Sequence, residues 1–185
     1  RGQAPSLPTV GRAYRTPTPR VHGAKRSVAG RHAGDEVEAM LRGSAVAKVD
    51  EKGRLKLPST FRAVLDEHYG PEFFVTSLRG ESVRIYPMEI WTGIEEKMSR
   101  VSSLGPSVAR FKNSVNYYGQ TAALDGQGRV LLHPLLRERT GARGEVVVLG
   151  QQNFLEVWNR AAFEERIQGD PLTDSDLEAL AEMGI

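Results

Sequence analysis

The sequence predicts a mainly β protein of the α+β class, assembled from two internal repeats. Three observations carry that expectation. The stretch from Val49 to Leu57, VDEKGRLKL, returns 75 residues later as LDGQGRVLL, so Asp50, Gly53, Arg54 and Leu57 recur as Asp125, Gly128, Arg129 and Leu132. Both copies lie between short apolar runs that alternate with polar residues, the period of half-buried strands. A second likeness, at a separation of 72, sets Val83-Arg84-Ile85-Tyr86 against Leu155-Glu156-Val157-Trp158 and extends the repeated unit to about fifty residues.

Composition bounds the possibilities. With 185 residues, 39% of them hydrophobic and 26% charged, the chain has room for one ordinary domain or two small ones. The lack of cysteine excludes a disulfide framework and thiolate metal sites and agrees with a reducing compartment. No apolar run approaches the roughly eighteen residues of a membrane span, and His22, His32, His68 and His133 show no zinc-binding spacing. Residues 1–39 read as a disordered basic extension. From Arg1 to Gly34 there are seven basic residues, no acid and four prolines, with little apolar surface to offset the entropy of ordering. The stretch lacks the apolar core of a secretion signal. Met40 stands just before the ordered-looking sequence, so the extension reads as upstream sequence in preference to a phosphate-gripping arm. All 23 acids follow residue 34, together with 18 basic residues, a formal charge of −5. Any nucleic-acid binding by the folded part therefore needs a local basic patch.

The first repeat spans residues 40–91. Ala45, Ala47 and Val49 alternate with Val46, Lys48 and Asp50, and Leu55 and Leu57 flank Lys56, as in two half-buried strands. Between them, D-x-x-G-R suits a hairpin loop whose left-handed position is Gly53. Asp50 can accept turn N–H groups while Arg54 opens the returning strand opposite it. Lys48, Lys52, Arg54 and Lys56 make a basic cluster, with Arg42 near it in sequence. Pro58-Ser59-Thr60 starts a helix with Phe61, Val64 and Leu65 as its apolar stripe, ended after Tyr69 by Gly70-Pro71. Strands are expected at Phe73–Thr76 and Ser82–Tyr86. From Met88 the spacing turns helical to about Val101, with Trp91 as a core residue.

A helical spacer is expected over residues 92–116, with its second helix from Ser107 to Val115. The second repeat, residues 117–168, runs strand, corner, strand, helix, with Leu132, Leu135 and Leu136 apolar and Gly141 as the stop. Strands follow at Glu145–Gly150 and Asn153–Trp158, then a helix in which Phe163 answers Trp91. Gln127 stands where the first corner has Lys52, and Leu131 where it has Lys56, so the first corner should dominate any shared contact. In the tail, 169–185, Thr173 and Asp176 form a capping pattern ahead of Leu177, Leu180 and Met183; this suits either a docking amphipathic helix or a frayed end.

One D-x-x-G-R corner is a weak motif. Its ion pair can simply steady its own turn, which adds little when exposed. Two corners in matching contexts place two exposed guanidinium groups in related positions, and arginine can grip phosphate or read guanine with two prongs. An enzyme built on Asp50, Asp125 or His133 is disfavoured. The carboxylates are tied to turns, His133 sits beside Pro134 at a helix start, and there is no phosphate loop, metal cluster or nucleophile elbow. Glu95-Glu96 and Glu164-Glu165 read as solvated helix faces. No catalytic residue, metal, cofactor or small-molecule substrate is expected. A protein-interaction module is the competing class, since fold alone does not decide function.

The order M-L-R-G, V-D-E-K-G-R-L-K-L-P, V-R-I-Y-P with E-I-W, L-D-G-Q-G-R-V-L-L and L-G-Q-Q-N-F-L-E-V-W resembles the MraZ proteins of bacteria, duplicated relatives of the SpoVT/AbrB transcription-factor domain. The resemblance covers about Met40 to Gln168. It implies a double-split, swapped-hairpin β-barrel formed by both repeats and flanked by helices. It also implies a ring-like homo-oligomer: a cytoplasmic, nucleoid-associated regulator that binds repeated promoter elements in double-stranded DNA upstream of the division and cell-wall gene cluster. The family's paired acid and arginine fall on Asp50 with Arg54 and on Asp125 with Arg129, and Lys52 is the accompanying basic residue. Nothing is implied for residues 1–39 or for the tail after Gln168. The competing protein-interaction reading is of antitoxin type, because swapped-hairpin barrels also occur in proteins whose partner is another protein.

Overall fold

The alternating runs of the first repeat become β1 (Ser44–Val49) and β2 (Arg54–Lys56), followed by α1 (Ser59–His68), β3 (Glu72–Thr76) and β4 (Val83–Pro87). The computed structural model describes residues 40–101 and 105–185; the extension expected at 1–39 lies outside them. Two helices, α2 (Met88–Arg100) and α3 (Pro106–Tyr117), lead to the second repeat: β5 (Gln120–Ala123), β6 (Arg129–Leu131), α4 (Pro134–Thr140), β7 (Gly144–Gly150), β8 (Leu155–Asn159) and α5 (Arg160–Gly169). The chain closes with α6 (Asp174–Glu182). None of the described helices is long and apolar enough to cross a membrane.

The eight strands form one antiparallel sheet in the order β5-β3-β4-β8-β7-β1-β2-β6. Its logic is an exchange of hairpins. β1 pairs with β7 of the other repeat, from Ser44 opposite Leu149 to Val49 opposite Gly144. β5 pairs in the same way with β3, from Glu72 opposite Ala123 to Val75 opposite Gln120. β4 lies against β8 and β2 against β6. Neither repeat can satisfy its strand edges alone, so the two copies make one barrel. The sheet is nearly closed: Gln120 Nε2 donates to the carbonyl of Leu131 across the gap between β5 and β6.

Inward positions come from both repeats. Leu55, Val75, Val83, Val130, Val148, Leu155 and Val157 are fully buried, and Phe61 and Leu65 of α1 and Leu136 of α4 seal the barrel into the same cluster. Outside the wall, α2 and α3 cover the first repeat around Tyr86, Trp91 and Val115. Trp91 is buried as expected, stacks on Phe74 at 4.1 Å between centroids and donates its Nε1–H to Glu95 at 2.9 Å.

The structure refines several expected boundaries. The repeat separation shrinks from 75 at the corners to 72 at β4 and β8 because α4 has seven residues where α1 has ten. α2 begins at Met88 and packs on β3 and β4, so it crosses the boundary expected between residues 91 and 92. Gly141 stops α4 in the left-handed conformation, φ 63°. The tail forms α6, begun by a full capping box between Thr173 and Asp176, with no buried residue.

Candidate nucleic-acid interface

Each corner is built the same way. Gly53 and Gly128 have φ of 83° and 71°, a conformation open to glycine at no steric cost. The backbone closes with Gly53 N–H donating to Asp50 O at 2.8 Å and Gly128 N–H to Asp125 O at 2.9 Å. The carboxylates then span the loop. Asp50 Oδ1 accepts from Arg54 N–H at 2.9 Å and Oδ2 from Arg54 Nε at 2.8 Å. Asp125 repeats the pattern with Arg129 at 3.0 and 2.8 Å. These bonds favour the ionised acid. The backbone N–H of Arg54, with its side chain, holds Asp50 below the usual carboxylate range. The Arg129 side chain, with backbone donors, draws Asp125 down to about 2.

The guanidinium groups are less free than expected. The side chains of Arg54 and Arg129 are 32% and 21% accessible, each anchored through Nε by its own aspartate. The anchoring fixes their direction. Arg54 keeps both terminal nitrogens without a partner among the described residues.

The exchange of hairpins brings the two corners together. Leu57 N–H donates to Gly128 O at 3.1 Å and Leu132 N–H to Gly53 O at 2.9 Å, so each corner is clasped by the other repeat. β2 and β6 run side by side with Arg54 opposite Leu131 and Lys56 opposite Arg129. Leu55 and Val130 point inward, which leaves Arg54, Lys56, Arg129 and Leu131 on one outward face. Lys52 projects, exposed, from the first loop.

The remaining expected residues divide. Lys48 is exposed on β1, opposite Glu145, and lines a cleft of about 470 Å³ beside Asp50 together with Arg137 and Arg143. Arg42 precedes β1 at the strand end away from the corner, about 20 Å off at the rise of a strand, and its Nη2 contacts Met40 Sδ at 3.0 Å. Arg42 therefore stands apart from the corner cluster. Two arginines join it instead. Arg137 of α4 covers the first corner, where a Cβ on Gly53 would fall 2.5 Å from Arg137 Nε. Arg62 of α1 covers the second, 2.6 Å from the corresponding point on Gly128. Arg62 and Arg137 are themselves 75 residues apart, a repeat signal visible in the sequence.

The family model described as "MraZ protein, putative antitoxin-like" matches residues 40–113 and 119–181, one match for each repeat. The chain belongs to the MraZ family. Its curated relatives include the transcriptional regulator MraZ of Acidobacterium capsulatum, 46% identical over 146 residues that make up 79% of this chain and 100% of the relative. The protein of the same name from Koribacter versatilis is 41% identical over 147 residues, 79% of this chain and 100% of that one. Transcriptional regulator MraZ from Escherichia coli is 32% identical over 143 residues, 77% of this chain and 91% of its own. The MraZ match to residue 181 takes in α6, so the expectation that the family likeness ends at Gln168 is corrected.

Within this MraZ chain the two corners are unequal. Lys48, Lys52 and Lys56 are matched in the second repeat by Ala123, Gln127 and Leu131. The first corner is the strongly cationic one.

Proposed function

We propose that this protein is a sequence-specific DNA-binding regulator of transcription, cytoplasmic and associated with the nucleoid, which as a ring-like homo-oligomer binds repeated promoter elements upstream of the division and cell-wall gene cluster. The observation that carries the reading is the outward face of the β2–β6 ribbon. Lys56 and Arg129 sit directly opposite each other there, with Arg54 beside them, in a folded part whose net charge is negative. Asp50 and Asp125 balance the two arginines, so Lys52 and Lys56 are the cations of this ribbon with no ion pair among the described residues, and a phosphate backbone supplies the anion they lack. Asp50 and Asp125 act as positioning residues: Asp50 holds Arg54 by Nε alone and leaves both its terminal nitrogens unpaired among the described residues, whereas Asp125 holds Arg129 by Nε and also by Nη2. Lys52 and Lys56 suit phosphate contacts, while Arg54 has the free fork needed to meet a guanine edge. One protomer offers few contacts, and a symmetric assembly presenting several identical corners to spaced repeats raises affinity through effective concentration.

Gel-shift titration on the DNA upstream of its own gene tests this. Arg54→Ala should weaken binding about 5- to 150-fold, the loss of a bidentate contact worth about 1–3 kcal/mol, with Arg129→Ala milder. A protein-interaction role of antitoxin type is the second reading, favoured by the family description. Intact DNA binding by Arg54→Ala and Lys52→Ala, with loss of a protein partner, would select it.

A further inference from the structure

The α6 helix is well capped yet buries nothing. Leu177, Leu180 and Ala181 lie on one face with Met183 beside them, and Leu177 and Met183 are 51% and 74% exposed. Its charged residues are all acidic: Asp174, Asp176, Glu178 and Glu182. Only Asp176 is engaged, in the capping box, and no ion pair holds the other three among the described residues. In the first repeat the helix at this position, α3, packs against the body through Phe111 and Val115. Its counterpart in the second repeat has no such seat.

A complementary surface exists elsewhere on the chain. Between α2 and α3 a groove of about 360 Å³ is walled by Ile94, Met98, Val101, Val108 and Phe111, with Lys97 on its edge. Arg100 follows one turn along α2, and α3 carries Arg110 and Lys112. None of these four cations has an ion pair among the described residues. An apolar slot with Lys97 at its edge, between helices that carry three further cations without ion pairs among the described residues, matches an apolar helix face flanked by unpaired acids.

We propose that α6 of one protomer docks its Leu177–Leu180 face in the α2–α3 groove of the next copy of this chain. The inference rests on the oligomeric reading above and names the contact that builds it. Helix and groove are different surfaces, so the contact is head-to-tail and closes a ring when the rotation per subunit permits. Helix-in-groove docking needs only a few apolar anchors at helical spacing. A nine-residue helix covers less than the ~1,200 Å² of a stable interface. A single link is therefore weak, and closure, in which every protomer gives one helix and receives another, makes the assembly persist.

The test uses the full chain, and native mass spectrometry at tens of micromolar reads it out. Wild type is expected as an oligomer, whereas Leu177→Asp falls to the 20.4 kDa single chain with an unchanged circular dichroism spectrum, since no core residue is touched. Lys97→Glu should shift the distribution the same way. Because the chain has no cysteine, Leu177→Cys and Met98→Cys proteins can be mixed and oxidised; a disulfide-linked pair should form in the mixture and in neither protein alone. An oligomeric Leu177→Asp overturns the docking and leaves the ring reading standing. So does a link formed only between two Leu177→Cys chains. A monomeric wild type overturns both.

Discussion

The two corner glycines do different work from glycines elsewhere in the barrel. Gly43 and Gly53 share a left-handed backbone, φ 81° and 83°, but a Cβ on Gly43 meets nothing within 4 Å whereas one on Gly53 strikes the Arg137 guanidinium. Gly43→Ala should therefore cost only the conformational term, about 1–2 kcal/mol, and Gly53→Ala that term plus displacement of Arg137. Urea midpoints of the two variants measure the difference, and equal midpoints would remove Arg137 from the corner. The aspartates make a second residue-scale expectation. Asp125 is held near 2 in the folded protein, below the unfolded value of about 3.9. A depressed carboxylate contributes stability fully above the unfolded pKa and loses it as pH falls through the folded one, so the second corner weakens between about pH 4 and 2. A carboxyl-carbon NMR titration should place the Asp125 midpoint near 2, and Asp125→Asn should flatten the stability loss across that window. A midpoint near 4 would mean that Arg129 does not hold Asp125 in solution. The D-x-x-G-R pairing was legible because its partners lie four residues apart. Arg62 and Arg137 were not singled out, although their spacing repeats, because only the exchange of hairpins brings each onto the other copy's glycine.

Elements were read correctly where periodicity was strong and trimmed where a cap decided the end. The helix after β4 starts at Met88, with Pro87 in extended backbone before it and no side-chain cap, and the one after β8 starts at Arg160, where Asn159 Oδ1 accepts from Ala162 N–H. What periodicity could not supply is which strand lies beside which. The β4–β8 pair shows what that adjacency permits. Arg84 faces Glu156 across the near-twofold axis at equivalent positions of the two repeats. In a symmetric pair of identical chains one residue type would face itself there; within one chain the position holds opposite charges. Glu156 is nearly buried and accepts from Ser82 Oγ at 2.7 Å, Arg84 Nε at 3.3 Å and Gln151 Nε2 at 3.3 Å. Glu156→Arg should cost about 3–5 kcal/mol, as expected when one partner of a buried pair is lost. The exchanged double variant, Arg84→Glu with Glu156→Arg, should recover much of it. Calorimetric melting of wild type, the two single variants Arg84→Glu and Glu156→Arg, and the double variant reads the coupling, and simple additivity would show that the pair stabilises nothing.

At the scale of the whole molecule, the repeat foretold a single barrel only through the family resemblance, since a 75-residue period alone equally allows two side-by-side domains. The exchange of hairpins decides how the basic residues are shared: six cations of one protomer, Lys52, Arg54, Lys56 and Arg129 with the covering Arg62 and Arg137, gather around one ribbon instead of two distant loops. That number limits what a lone chain can do to a phosphate backbone. Releasing counterions at about 0.9 per neutralised phosphate, the corner residues of one protomer could give a slope of log affinity against log salt no steeper than about −5. An assembly engaging two or more corners must exceed it. Fluorescence anisotropy on promoter DNA between about 50 and 200 mM salt should therefore give a wild-type slope well beyond that bound. Leu177→Asp, which leaves every corner residue in place, should bring the slope back within it. A wild-type slope inside the single-chain bound would mean that only one corner meets the DNA at a time, and the multivalent part of the proposed function would fall while the corner chemistry remained.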